Sequence, residues 1–227
     1  MIPRSLYKRL PVLIFWTLVI SLPVAGWSLF QIAIAKYSRG DYFYLETAQI
    51  AFEFPKSWWA SIYEHRNESG SIYYVAAYPL TSRETWVSVI FITYDEKVTK
   101  AYFERHKFSN LSYALLFEIN RTYSEIKRSN TDATLHFLKN DTMKISGIEA
   151  ISITIKVEEG YQDKEGNIHN LTATFVSWIH KTGKGEKIYY VIFFGVEEEW
   201  SKSQVQDAFE HMLSTIKLGE SGEDGGT

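Results

Sequence analysis

Ile188-Tyr189-Tyr190-Val191-Ile192-Phe193-Phe194 is apolar or aromatic at every position, and this run decides how the chain must fold. Successive side chains of a strand point to opposite sides of the sheet, so a strand of this composition is dry on both faces. It predicts a central strand with layers above and below. Leu171 to His180 precedes it across Thr182-Gly183-Lys184-Gly185, which reads as a hairpin. Ile148 to Glu158 lies further upstream and places Ile151, Ile153, Ile155 and Val157 on one face, with Ser152, Thr154, Lys156 and Glu158 on the other. That alternation marks a half-buried antiparallel strand. Asp163 to Asn167 supplies the turn between the two.

Downstream, Val205, Ala208, Phe209, Met212, Leu213 and Ile216 recur at helical spacing. Ser201 with Gln204 has the spacing of a capping box, and Gly219 is placed to stop the helix. Glu197-Glu198-Glu199 reads as a solvated strand exit. The middle of the chain also has a period near 3.6: Leu115, Leu116, Ile119, Tyr123 and Ile126 lie along one face of a helix from Ser112 to Lys127. A shorter helical stretch, Val98 to Phe108, precedes it. Leu135 to Lys139 follows as a short run ending in a turn at Asn140-Asp141. In the amino-terminal half, Ile50 to Phe54 alternates and stops at Pro55, a strand followed by a turn. Ala60 to His65 and Ile72 to Tyr78 flank a polar, Gly-containing segment and form a second hairpin, with Trp86 to Tyr94 as a further neighbour.

Leu10 to Ala35 is 26 residues without a charge. As a helix it would be roughly 39 Å long against a hydrocarbon core of about 30 Å, enough to span with some tilt. Arg4, Lys8 and Arg9 precede it, and the positive-inside rule then sets the amino terminus in the cytoplasm and the rest outside. Tyr37, Tyr42, Phe43 and Tyr44 follow it, where aromatic rings would sit at headgroup level. Ala33-Ile34-Ala35 has the small-x-small form of a signal-peptide cleavage site, the competing reading, but the run exceeds the length of a signal hydrophobic region. The expected organisation is a cytoplasmic basic segment (1–9), a transmembrane signal anchor (10–35), a short linker (36–47), an extracellular domain (48–218) and a disordered acidic, Gly-rich tail (219–227). The lipid bilayer is thus a partner through residues 10–35.

From Asp41 onward the chain carries 19 Lys and Arg against 27 Asp and Glu, a formal charge of −8. Nucleic acid is a poor partner for such a surface. Cysteine is absent, which excludes thiolate metal sites, cysteine nucleophiles and lipoprotein acylation. Five of seven Asn open an N-x-S/T sequon: Asn67, Asn110, Asn120, Asn140 and Asn170. With 37 Ser and Thr in 227 residues, chance would give about one, so the excess points to N-glycosylation. Export into a glycosylating compartment without cysteine suits an archaeal cell surface.

The six His are scattered, with no H-E-x-x-H pair, and neither a G-x-S-x-G turn nor a P-loop occurs. Asp163, Glu165, Asn167 and His169 alternate like calcium ligands, but Gly166 is out of place and no acidic residue stands at the twelfth position, so a plain turn is expected. No cofactor is expected, and no catalytic or metal residue is assigned.

Ile50-Ala51-Phe52-Glu53-Phe54-Pro55-Lys56-Ser57-Trp58, the strand pairs, the middle helix, the long meander and the closing Phe209-Glu210-His211-Met212-Leu213-Ser214-Thr215-Ile216-Lys217 together resemble PsbP-like domains, those of extrinsic photosystem proteins. The resemblance covers most of residues 48 to 218. It implies an α+β fold, an antiparallel sheet flanked by helices, and a non-catalytic binding or assembly role on a larger protein partner. The apolar amino-terminal run departs from the family's plant members. The resulting expectation is a membrane-anchored, glycosylated extracellular binding module and not an enzyme. The alternatives are an anchored hydrolase with a dispersed site, or an accessory subunit of a membrane complex. A partner is expected on the side of the terminal helix or at Tyr42, Phe43 and Tyr44, because bulky hydrated sugars keep the sequon-bearing face open.

Overall fold

The computed structural model describes residues 38–47, 49–67, 70–79, 87–163 and 165–219. The expected basic segment and anchor, Tyr37 and all but the first residue of the acidic tail lie outside the described residues. Among the described residues, no helix is long and apolar enough to cross a membrane.

Seven strands form the main sheet: β4 (Trp58–Asn67), β5 (Gly70–Pro79), β6 (Val87–Tyr94), β7 (Thr134–Ile145), β8 (Ile148–Gln162), β9 (Ile168–Thr182) and β10 (Gly185–Val196). Their order is β4-β5-β6-β10-β9-β8-β7, and every neighbouring pair is antiparallel. The doubly apolar strand β10 is the fourth of seven, hydrogen-bonded to β6 on one side and β9 on the other. Tyr190, for example, lies between Ile92 and Ser177.

The two faces of β10 feed two separate cores. Tyr189, Val191 and Phe193 face one, Ile188, Tyr190 and Ile192 the other, and all six are buried. Two helices joined by a short loop, α1 (Glu96–His106) and α2 (Leu111–Ser129), cover the second face. They connect β6 in the middle of the sheet to β7 at its far edge, and the meander β7-β8-β9-β10 then returns to the centre. Ala114, Leu115 and Ile119 of α2 are fully buried there. The expected apolar stripe is therefore the packed one.

The first face is covered by a second sheet of four short strands, β1 (Ser38–Arg39), β2 (Tyr42–Glu46), β3 (Ile50–Pro55) and β11 (Lys217–Leu218), together with the helices α3 (Glu197–Trp200) and α4 (Ser203–Thr215). Phe52 of β3 stacks on Phe91 at 4.0 Å between ring centroids, and Phe209 of α4 stacks on Phe193 at 4.3 Å. Burying each such ring is worth about 1.5–3 kcal/mol relative to leaving it in water. An antiparallel sheet with helices against both faces is the expected class. The additional small sheet was not foreseen.

Four local expectations are corrected. Within the expected linker, Ser38–Arg39 and Tyr42–Glu46 are paired strand, because Phe43 and Leu45 turn inward against the core and β2 pairs with β3 from Tyr42–Pro55 to Glu46–Ala51. β7 runs unbroken through Asn140-Asp141, with a bulge between Phe137 and Lys139. The turn falls instead at Ser146 and Gly147, both at positive φ (49° and 80°), the backbone that a two-residue hairpin requires. The Ser146 hydroxyl, donating to the Ile216 carbonyl, holds this non-glycine residue there.

The capping box does not form. Ser201 belongs to the end of α3, its hydroxyl donating to the Glu197 carbonyl at 2.8 Å, and α4 starts at Ser203 without a side-chain cap. Gly219 does not end that helix either. The helix stops at Thr215, and Lys217 and Leu218 pair with Ala51 and Ile50, so the segment after the helix is stitched to β3.

Phe209 is 6 % exposed, so Phe209→Ala should cost about 3–5 kcal/mol in urea unfolding monitored by circular dichroism. An unfolding midpoint equal to that of the unaltered chain would mean that α4 is not docked on Phe193.

Candidate functional site

A cleft of about 650 Å³ opens where the small sheet meets α4 and the starts of β4 and β6. Its position follows from two turns. Lys56, in the turn from β3 to β4, donates its backbone N–H to the Asp41 carbonyl at 3.0 Å and so brings the β1–β2 turn beside Trp58. The opposite wall is the first two turns of α4. Trp58, Val87, Val205 and Ala208 are buried lining residues and make the cleft apolar at its base. Asp41, Glu199 and Asp207 contribute carboxylates, against one lysine, Lys56. Glu199 is already engaged by Lys202. An apolar base bearing a predominantly acidic lining suits a ligand that brings cationic or hydroxyl groups over an apolar body.

Beside the cleft, His211 of α4 shares a 3.0 Å hydrogen bond with Glu53 of β3, and Tyr42 stacks on the imidazole at 3.7 Å. The Glu53 backbone N–H also donates to the Thr215 hydroxyl at 3.0 Å. These contacts fix the helix against the small sheet, and with it the width of the cleft.

The aromatic residues expected at headgroup level are packed into the same corner. Tyr42 lines the cleft, and Phe43 lies 5.7 Å from Phe54 in the core with the Lys56 ammonium over its ring. Tyr44 sits opposite Glu53 in the β2–β3 ladder. All three are half-buried.

The sequons fall elsewhere. Asn67 ends β4, opposite Gly70. Asn110, exposed, is the N-cap of α2, its side-chain oxygen accepting from the Tyr113 N–H at 3.2 Å. Asn120 on α2 and Asn140 on β7 are exposed. Asn170 is half-buried and committed on both atoms: its nitrogen donates to Glu197 at 3.0 Å and its oxygen accepts from the Glu159 N–H at 3.1 Å. With Lys156 at 3.1 Å, Asn170 holds the Glu197 carboxyl below its ordinary range. The three consecutive glutamates thus open a short helix and do not simply leave the strand.

Asp163 accepts from the Glu165 and Asn167 N–H groups, the Asn167 amide and His169. The Asn167 side chain first, then His169, hold its carboxyl well below the usual carboxylate range. The carboxylate is used up in closing the turn, and among the described residues no three His, Asp or Glu come together as a metal site.

Two buried charges escaped the sequence reading. Glu118, 3 % exposed, accepts from the Tyr102 hydroxyl at 2.5 Å and from Arg121 at 2.7 and 2.8 Å. Burial first, then Tyr190 and Glu118, push the Tyr102 hydroxyl far above its ordinary value and keep it a donor. Lys187, also 3 % exposed, reaches Gln49 at 2.8 Å and Glu96 at 3.8 Å, and so ties β10 to the small sheet and to the start of α1. Glu118 was visible in principle, since its helical position falls between those of the apolar Ala114 and Leu115, beside the stripe, and three residues before an arginine.

No protein-family model matches the chain, and no curated protein matches it. Among solved structures, it is similar to the cyanobacterial PsbP (CyanoP) of Synechocystis sp. PCC 6803, with 13 % identity, 80 % of this chain and 94 % of that one covered, and a TM-score of 0.45. It is also similar to LpqN of Mycobacterium tuberculosis, described as involved in cell envelope biogenesis, with 9 % identity, 75 % and 83 % covered, and a TM-score of 0.46. The likeness concerns the fold alone.

Tyr102→Phe removes one hydrogen bond to a buried carboxylate and should lower unfolding free energy by about 1.5–3 kcal/mol in denaturant titration. No loss would mean that Glu118 is neutralised by Arg121 alone.

Proposed function

We propose that this chain is a membrane-anchored, N-glycosylated extracellular binding module that engages a neighbouring surface or membrane component through the cleft between Asp41, Lys56 and α4. The carrying observation is the separation of faces. The buried lining of the cleft, Trp58, Val87, Val205 and Ala208, belongs to the core on the small-sheet side of β10. Asn110 caps α2 and Asn120 lies on it, and Asn140 pairs across the ladder with Ile153, all on the opposite side. Sugars there would leave the cleft open to a partner. The uncharged run Leu10 to Ala35 supplies the anchor. The first described strand, β1, starts three residues after that run and leads through Gly40 directly into Asp41 of the cleft wall, so the contact would be made close to the bilayer. A partner offering basic or hydroxylated groups fits the acidic lining.

Because the chain has no cysteine, an introduced one is unique and can carry a photo-crosslinker. Gln204→Cys, on the cleft wall, should capture a partner in the intact membrane, and Arg128→Cys, exposed on α2, should not. Capture from Arg128→Cys with none from Gln204→Cys would overturn the assignment of faces.

A further inference from the structure

On the helix-covered side of the main sheet, the molecule leaves apolar surface in water. Tyr113 is 58 % exposed, Phe137 55 % and Leu138 57 %. They are parts of two open grooves that share one wall, Leu116 of α2. The first groove, about 340 Å³, runs between α2 and the edge strand β7 and is lined by Phe137, Leu138, Ile151 and Asn140. The second, about 460 Å³, lies over the α1–α2 corner and is lined by His106, Phe108, Tyr113, Phe117 and Asn120. A sequon asparagine therefore stands in the lining of each groove, and both asparagines are exposed.

The shape of this surface is built by the chain. The bulge in β7 inserts Leu138 as an extra residue between Phe137 and Lys139, outside the pairing with β8. At the α1–α2 corner, His106 stacks on Phe108 at 5.3 Å and lies 4.5 Å from Phe117, giving a broad aromatic floor. Ser109, Ser112, Lys107 and Lys139 supply polar groups around the apolar centres. Contiguous apolar surface of this kind is normally covered by something.

We propose that the saccharides carried by Asn120 and Asn140 fold back onto these grooves and are their occupants, each sugar lying on the groove in which it is rooted. This rests on the glycosylation in the proposed function. A pyranose ring has an apolar C–H face and a rim of hydroxyls, which matches an aromatic or aliphatic floor edged by serine and lysine. The covalent link holds the sugar at an effective concentration on the order of millimolar, so a contact too weak for a free saccharide is populated. An apolar helix or a second copy of the chain would have to displace both sugars to reach Leu116. The sugars thus shield the surface from adventitious association.

The test is hydroxyl-radical footprinting with mass analysis on the protein purified from the cells that make it, unaltered and as Thr122→Ala and Thr142→Ala. Each substitution destroys one sequon and leaves its asparagine in place. Oxidation of Tyr113 and Phe117 should rise about twofold or more in Thr122→Ala, and that of Phe137 and Leu138 likewise in Thr142→Ala, as shielded surface opens. Ile168, 57 % exposed and lining neither groove, should not change. Asn120→Gln and Asn140→Gln should reproduce the same pattern, which separates sugar loss from a local defect at the threonines. Sugar lost by mass with oxidation unchanged would overturn the groove assignment alone. Asn120 and Asn140 without sugar in the unaltered protein would overturn both this inference and the glycosylation on which it rests.

Discussion

A strand that is apolar on both faces cannot be left with either face in water, and β10 imposes that condition on the whole chain. Tyr189, Val191 and Phe193 require one cover, Ile188, Tyr190 and Ile192 another. The chain meets the first with the small sheet and α4, whose β11 pairs with β3, and the second with the α1–α2 hairpin. The cost of exposing three large side chains on either side is several kcal/mol, comparable to the whole net stability of a domain. Both covers are therefore obligatory. This two-sided demand also gives the molecule two outer faces of different character. One carries the cleft, and the other carries Asn110, Asn120, Asn140 and the apolar grooves.

The buried charges strengthen the same arrangement. Lys187, on β10 itself, reaches Gln49 on the small-sheet side and Glu96 at the start of α1. Burial pushes the Glu96 carboxyl up, but its own N–H, the Thr182 hydroxyl and Lys187 outweigh that and hold it below its ordinary range. Glu118 does the corresponding work between α1 and α2 through Tyr102 and Arg121. Removing one member of such a set leaves a charge buried without its partner, which is costly, so these groups specify where each cover docks.

The long elements were legible because their burial is written in their own periodicity. β8 alternates strictly from Ile151 to Glu158, α2 and α4 show a 3.6-residue stripe, and the Ile188–Phe194 run of β10 shows no polar position at all. What was not legible depends on residues far away in the chain. Residues 42–46 become strand only because β3 is present to pair with them, and Lys217–Leu218 because Ala51 and Ile50 wait on the other side of the same strand. The turn at Ser146-Gly147 was hidden because serine is not a usual residue at positive φ. Its support, the Ile216 carbonyl, comes from the far end of the chain. The cleft was illegible for the same reason: its walls come from residues 41–58, 87 and 199–208, and no one of these stretches carries a motif. The sequons were plain from the sequence, but that two of them stand in apolar grooves required the fold.

The claim that both covers act on one strand is tested most directly by native-state amide hydrogen exchange of Tyr189 to Phe193, in the presence of a core truncation on either side. Met212 and Leu115, both fully buried, sit in the two different cores. Met212→Ala and Leu115→Ala should each lower the opening free energy of these amides by about 2–5 kcal/mol, because β10 opens only when the whole domain unfolds. If one truncation left the exchange of β10 unchanged while the other reduced it, the two covers would not depend on a shared central strand, and the account would be contradicted.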